Sequence, residues 1–181
     1  MLGLELVLGI VTLLLIRIVK PVSALVIGTF FLFLYSYFLL EVVILPHYLV
    51  ALSVTALWYF FLRKVYRYNR TEIRIFGITL YPVLAWSLSL PSLLILIRLI
   101  SRAADLDRVY LFPLWYGLFV IFLITFEWIG YHLLNVRLKS GYKGLFFLDC
   151  MHIPGWAKLG YFSLGAVYFF VLDFFDLLLI Y

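Results

Sequence analysis

The chain has 181 residues, of which 67% are hydrophobic and only 13% are charged, and its formal net charge is +5. So large an apolar share excludes a water-soluble domain, because such a domain needs a polar surface around its core. A single cysteine excludes an intrachain disulfide and a multi-cysteine metal or iron–sulfur site. In so apolar a chain, the excess of basic residues indicates cytoplasmic loops and not a nucleic-acid partner.

Long apolar runs divide the sequence, and they approach or exceed the roughly 20 residues that cross about 30 Å of hydrocarbon. These runs are apolar on all sides, whereas the strands of a membrane barrel alternate in polarity. The sequence therefore predicts an all-α, polytopic helical membrane bundle that forms one domain. The six expected transmembrane helices cover approximately residues 2–19, 22–40, 47–62, 75–100, 109–136 and 159–180.

Proline and basic residues mark features of these spans. Pro21 follows Lys20 between the first two spans and predicts a tight helical hairpin. The third span ends in the basic run 63–70, and the fourth contains Pro82 and Pro91, which are expected to kink it. The loop 137–158 is too long for a simple hairpin and is apolar at 145–148. We therefore expect this loop to lie in the interface or to re-enter the bundle.

The distribution of basic residues predicts the orientation. If the N-terminus is outside, the loops after the first, third and fifth spans hold 11 of the 14 Lys and Arg residues. Cytoplasmic loops carry such an excess, so both termini are expected on the non-cytoplasmic side of a cell membrane. The chain has no Gln and only two Asn, a depletion reported for thermophilic proteins. We expect a prokaryotic source.

The stretch 127–158 sets ionisable groups into this apolar sequence. A carboxylate at the centre of a span costs roughly 2.5 kcal/mol or more, so Glu127 is a candidate functional residue. Glu127, Tyr131 and Asn135 recur every four residues, and His132 lies beside them, which predicts a polar stripe on the fifth helix.

The loop 137–158 is expected to bring Asp149 and His152 to the same side of the membrane as His132. Imidazole and carboxylate groups suit acid–base chemistry or a divalent metal such as Zn, Fe or Mn. No ligand spacing in the sequence matches a named metal motif, so the cofactor, for which a divalent metal is a candidate, is not identified. The candidate catalytic residues are Glu127, Tyr131, His132, Asn135, Asp149 and His152, and Glu127, His132, Asp149 and His152 are also the candidate metal ligands.

Basic residues at the same side have the charge to hold a phosphate or pyrophosphate head group. They are Arg137, Lys139, Lys143 and Lys158. A lipid or isoprenoid substrate that enters sideways from the bilayer fits this combination. Ordinary roles fit the same residues: Glu127 bonded to a neighbouring helix, the histidines anchored at the interface and the lysines obeying the topology rule.

A second cluster is acidic and is predicted at the outer face. It comprises Asp173, Asp176, Glu5 and Glu41. Asp173 and Asp176 lie one turn apart and repel each other, so they need a basic partner, for which Arg98, Arg102 and Arg108 are candidates. A cation site on a transport path is the alternative to simple ion pairing.

Three classes of function remain open from the sequence. The first is a small membrane-embedded enzyme that acts on a lipid or isoprenoid at the cytoplasmic face. The second is a non-catalytic subunit or scaffold, with a membrane-protein partner or a second copy of the chain. The third is a transporter of a cation or small solute, which predicts a water-filled path from Asp173 to Glu127. Membrane lipids are expected partners in each class, and nucleic acid in none.

Overall fold

The computed structural model describes residues 7, 10–12, 14, 15, 18, 21–39, 43–64, 73–137, 141–145 and 148–178. Within this part of the chain, five helices are long and apolar enough to cross a membrane. Their bounds are Pro21–Leu39 (α1), Leu45–Leu62 (α2), Leu80–Ala104 (α3), Leu111–His132 (α4) and Gly155–Phe174 (α5), and a short 3₁₀ helix, Arg108–Tyr110, leads into α4. These helices confirm the expectation of a helical membrane protein.

The predicted first span, residues 2–19, lies mostly outside the described residues. The positions that are described there are helical. One of them, Thr12, contacts α1, because a methyl group added at Gly28 would come within 3.0 Å of the Thr12 side chain. The first predicted span therefore packs beside α1 at this point.

Four of the helices form a closed ring. Helix α2 packs on α3, α3 on α4, α4 on α5, and α5 returns to α2, while α1 lies outside the ring against α3. Neighbours in the ring are antiparallel: His47 at the start of α2 bonds the carbonyl of Leu177 beyond α5, and Arg108 before α4 bonds Asp173 near the end of α5. We call the end that contains His132 and Gly155 the inner end, and the opposite one the outer end.

Large aromatic side chains fill the centre of the ring. Trp115, Phe119, Tyr161 and Tyr168 are almost completely buried. The Trp115 indole Nε1 donates a hydrogen bond to the carbonyl oxygen of Gly165 at 2.9 Å. Hydrocarbon offers no hydrogen bonds, so polar groups inside a span need partners of this kind within the protein.

Two glycines bring α5 close to two different neighbours. A methyl group at Gly160 would overlap the indole of Trp58 in α2, and one at Gly165 would overlap the ring of Phe119 in α4. Small residues allow such close approach of membrane helices. The two positions are five residues apart, and not four as in a GxxxG face. Each glycine allows close contact with a different helix, α2 at Gly160 and α4 at Gly165.

The fourth span begins later than the sequence pattern predicts. In place of helix from residue 75, strand β1, Arg74–Ile75, pairs antiparallel with β2, Ile78–Thr79, and α3 starts at Leu80. The two residues at the turn have positive φ angles, 51° at Phe76 and 79° at Gly77, so no right-handed helix passes through them. Helix α3 then continues through Pro91 to Ala104.

The fifth span ends earlier than expected, at His132 and not near residue 136. Asn135 has φ 52°, a left-handed conformation that ends helices and that Asn tolerates better than most residues. Asn135 therefore lies beyond the helix, and the predicted polar stripe does not reach it. Helix α5 begins at Gly155, before the predicted residue 159 and directly after Pro154.

Candidate functional site

The loop between α4 and α5 folds back onto the inner end of the ring. Cys150, Met151 and Ile153 are at most 2% exposed and belong to the main hydrophobic core. The backbone N–H of Leu145 donates to the carbonyl of Cys150 at 2.7 Å, which closes the loop on itself. The described part of this loop is thus held by burial, in a position determined by the helices beneath it.

Two residues of this loop have an unusual backbone. Asp149 has φ 45° and Met151 has φ 55°, and neither is a glycine. A left-handed conformation costs of order 1–3 kcal/mol at such residues, and it persists only where the surroundings enforce it. Here the buried side chains of Cys150 and Met151 provide that enforcement. The result is that the Asp149 side chain turns outward while the residues on either side of it are packed.

Asp149 and His152 form a hydrogen-bonded pair. His152 Nε2 lies 2.9 Å from Asp149 Oδ1, and Nε2 is the donor because a carboxylate only accepts. The Asp149 side chain is 64% exposed and the His152 side chain only 14%. The carboxylate is therefore exposed to the surroundings, and the imidazole bonds it from the buried side.

Aromatic and basic groups surround this pair. The Tyr131 ring stacks on the His152 ring with centroids 4.4 Å apart, and the Arg137 guanidinium lies 4.7 Å from the centroid of the Tyr131 ring. His132 Nε2 lies 3.2 Å from the carbonyl oxygen of Asp149. Tyr131 and His132 at the end of α4 thus contact His152 and Asp149 of the loop. All four are predicted site residues.

Glu127 lies deeper, inside the ring. It is partly buried, and it accepts a hydrogen bond from the hydroxyl group of Tyr161 in α5. Tyr161 in turn bonds the hydroxyl group of Tyr59 in α2, and the ring of Trp86 in α3 meets Tyr161 edge-on at 5.8 Å between centroids. Glu127 is thus one end of a polar chain that joins α4, α5 and α2.

Neither Tyr59 nor Tyr161 is among the site residues predicted from the sequence. Both lie inside spans and are 1% exposed, and a buried tyrosine hydroxyl usually has a hydrogen-bond partner. The sequence does hold a signal for these residues. Each is a tyrosine within an apolar run, at the level of a carboxylate on another span. This signal was hidden by the abundance of tyrosine, since the chain has fourteen.

Cys150 is buried, and both Glu127 and Asp149 influence its thiol. Burial raises the pKa of its thiol, and the charges of Glu127 and Asp149 raise it further, while Lys158 opposes them. Both carboxylates are therefore close enough to the sulfur to act on it electrostatically. A thiol with a raised pKa is a poor nucleophile at neutral pH.

The four candidate ligands do not all converge. Asp149 and His152 bond directly, and His132 reaches the Asp149 backbone and not its carboxylate. Across the described ranges, no group of three or more His, Cys, Asp or Glu side chains is arranged to hold a metal ion. Glu127 is bonded to Tyr161 instead.

The predicted head-group residues differ in what they contact. Lys158 Nζ donates to the carbonyl oxygens of Lys143 and Gly144, at 2.8 and 3.0 Å, and so fastens the loop to α5. Arg137 Nε donates to the carbonyl of Tyr131 at 3.3 Å. The side chain of Lys143 is exposed, and Lys139 lies outside the described residues.

The outer acidic residues include one ion pair. Arg108 Nη2 lies 2.7 Å from Asp173 Oδ1, and both side chains are exposed. Arg108 is one of the three basic partners predicted for Asp173. Asp176 is exposed and has φ 53°, while Glu5 and Glu41 lie outside the described residues.

Comparisons of the chain with protein-family models, curated proteins and solved structures found no match. The geometry above is therefore the basis for any statement about function.

Proposed function

We propose that the protein is a small membrane-embedded enzyme that performs acid–base chemistry on the head-group end of a lipid or isoprenoid. Asp149 is the group that meets the substrate, and His152 is the residue that positions it. The observation that carries this proposal is the 2.9 Å hydrogen bond between an exposed carboxylate and a mostly buried imidazole. The imidazole donates a hydrogen bond from one ring nitrogen, which suits His152 to hold the carboxylate in place for proton transfer.

In this proposal the Asp149 carboxylate accepts a proton from a water molecule or a substrate hydroxyl group. The hydrogen bond from His152 Nε2 fixes the rotamer of Asp149, and the stacked Tyr131 ring fixes the plane of the imidazole. Holding a reacting group in one geometry removes part of the entropic barrier. The left-handed backbone at Asp149 serves the same purpose, because it directs the side chain away from the packed loop.

The surroundings of the pair favour an amphiphilic substrate. Arg137, Lys143 and Lys158 lie at the same end and supply positive charge for a phosphorylated head group. Exposed apolar side chains also occur at this end, at Leu133 after α4 and at Trp156 and Leu159 in the first turns of α5. We propose that this end faces the cytoplasm, since 11 of the 14 basic residues then do so.

Glu127 has a second role in this proposal. It is a second acid–base group, which influences the Cys150 thiol and is held by the Tyr161 hydroxyl. A carboxyl group inside a span is costly and is retained where function or a specific partner requires it. The packing of the ring disfavours the transporter alternative, because Trp115, Phe119 and Leu123 fill the interior between Glu127 and the outer end.

Lipid profiles of cells that express the protein test the proposal. Wild-type protein should change the abundance of at least one lipid or isoprenoid relative to an empty vector, as measured by untargeted mass spectrometry. Asp149→Asn, His152→Ala and Glu127→Gln should each reverse that change at equal protein levels. Asp176→Asn is the matched control, because it removes an exposed carboxylate at the outer end.

Two outcomes would overturn the proposal. One is a profile that Asp149→Asn leaves the same as wild type. The other is purification in mild detergent of a stoichiometric complex with another membrane protein, together with no lipid change, which would support the subunit or scaffold alternative.

A further inference from the structure

The hairpin between α2 and α3 exposes its apolar residues instead of burying them. We call residues 73–79 the interfacial hairpin. Phe76 at its turn is 90% exposed, and Ile75 and Ile73 are about half exposed, at 51% and 46%. An exposed apolar cluster of this kind marks an interaction surface.

The hairpin is anchored at its base and exposed at its tip. The backbone N–H of Leu80 donates to the carbonyl of Ile73 at 3.0 Å, which closes the base. Ile78 packs against the main core, and Thr79 is buried. The side chain of Arg63, after α2, lies 3.7 Å from the Cβ position at Gly77. The direction of the tip is therefore set by the helices, and Phe76 points away from them.

The turn itself holds a bulky residue in a conformation that such residues avoid. Two-residue turns with positive φ at both central positions prefer Asn-Gly or Asp-Gly, and here Phe76 occupies the first position at φ 51°. Asn would fit the backbone better. The phenyl ring is thus present at the tip despite the backbone, which points to a role for the ring outside the fold.

Charge and distance identify what the ring meets. Arg63, after α2, and Arg74, within the hairpin, are exposed, and an apolar tip between basic residues is typical of segments that lie on anionic lipid. Strands rise about 3.3 Å per residue, so Phe76 lies within roughly 13 Å of the start of α3. Each polar layer of a bilayer is about 5–8 Å thick, so the hairpin is long enough to reach across this layer and short enough to stay next to it.

We propose that the interfacial hairpin lies in the lipid head-group layer of the protein's own membrane, with the Phe76 ring inserted at the boundary with the acyl chains. The outward-facing backbone groups of these short strands stay hydrated there, which the hydrocarbon core would not permit. Basic side chains hold the hairpin down by attraction to anionic lipid. This inference is independent of the enzymatic proposal.

Spin labelling in vesicles tests this placement. A nitroxide is attached at Phe76→Cys in the full chain, reconstituted in vesicles of phosphatidylcholine and phosphatidylglycerol, and its collision rates with oxygen and with a water-soluble nickel chelate are compared. Leu57→Cys on the exposed face of α2 is the lipid reference, and Lys64→Cys, beside the hairpin, is the aqueous one. Wild-type protein, with only the buried Cys150, controls for background labelling.

The proposal predicts that the oxygen-to-nickel ratio at position 76 resembles that at position 57 and is several-fold above that at position 64. It also predicts that this ratio falls when Arg74→Gln is added or when phosphatidylglycerol is omitted. A ratio at 76 equal to that at 64 overturns the proposal. So does a label shielded from both reagents, because that result means that another protein covers the tip.

Discussion

At the scale of single residues, the two partners of the Asp149–His152 pair differ in exposure. The carboxylate is the exposed partner and the imidazole the sheltered one, so a molecule that approaches from the membrane surface meets Asp149 first. The topology of the loop predicts both residues at the inner end. Which of the two faces outward was not predictable from the sequence, because that depends on the left-handed backbone at Asp149.

The reactivity of Cys150 should depend on folding and on pH. Its raised pKa means that the thiolate forms at higher pH in the folded protein than in the unfolded chain, where the pKa of a cysteine thiol is about 8.5. The neutral thiol therefore stabilises the fold below that unfolded pKa, and this contribution is lost as the pH rises through the folded pKa. Maleimide labelling, followed by mass spectrometry, should be slower for native than for denatured protein at mildly alkaline pH. Equal rates would contradict the burial of this sulfur.

The hydrogen bond between Glu127 and Tyr161 should contribute a measurable coupling energy. Interhelical polar bonds in membranes average about 0.6 kcal/mol and reach about 1.7 kcal/mol. A double-mutant cycle of Glu127→Leu and Tyr161→Phe, measured by reversible unfolding in mixed micelles, should give a value in this range. Strictly additive effects would show that the two side chains act independently and that the polar chain is absent.

At the scale of helices and loops, the end of α4 is set by one residue. Asn135→Gly should destabilise the protein less than a β-branched substitution at this position, because glycine adopts positive φ freely. Asn135→Val should destabilise the protein by about 1–2 kcal/mol, the cost of a left-handed conformation at a residue with a branched side chain. Thermal unfolding in detergent measures both variants. Equal stability of the two would mean that residue 135 does not hold φ 52°.

The approach of α5 to α2 should depend on the missing side chain at Gly160. Gly160→Ala should cost about 1–3 kcal/mol, because the added methyl group overlaps the Trp58 indole. Trp58→Phe should restore part of this loss in the double variant. Gly117→Ala is the matched control: it lies in α4 with nothing within 4 Å of its Cβ position, and it should be neutral. A neutral Gly160→Ala would contradict the close packing of these helices.

The bounds of the elements show where apolar runs mislead. Residues 75–79 and 133–136 read as parts of spans because they are mostly apolar, yet neither segment is helical. In both cases a residue with positive φ interrupts the helix, at Phe76 and at Asn135. Asparagine after a helix is a recognised stop signal, so the second boundary was predictable. Phenylalanine in a left-handed turn was not, since tertiary packing imposes it.

At the scale of the whole molecule, composition alone predicted a helical membrane protein. Long apolar runs require helices because hydrocarbon satisfies no backbone group. The closed ring of α2 to α5, with α1 outside it, could not be predicted. That arrangement depends on which helices approach closely, and the contacts at Gly160 and Gly165 are visible only when their partners, Trp58 and Phe119, are known.

The two ends of the ring differ in how their charged residues are held. At the outer end the Arg108–Asp173 pair is exposed, and such pairs contribute about 0–1 kcal/mol. At the inner end the loop is buried, bonded and backbone-strained around an outward carboxylate. The candidate site residues that contact one another, Tyr131, His132, Asp149 and His152, lie at the inner end, where the proposed chemistry takes place.

The most direct measurement follows turnover by the purified protein. Wild-type protein in nanodiscs that contain a total lipid extract, incubated near neutral pH, should form a product that increases with time and with protein concentration. Asp149→Asn should slow this reaction by about 10²–10⁴-fold, the usual contribution of a general acid–base group, while its thermal unfolding remains that of the wild type. A reaction that proceeds at the same rate in Asp149→Asn would contradict the assignment of this carboxylate, and so would the absence of any product from the wild-type protein.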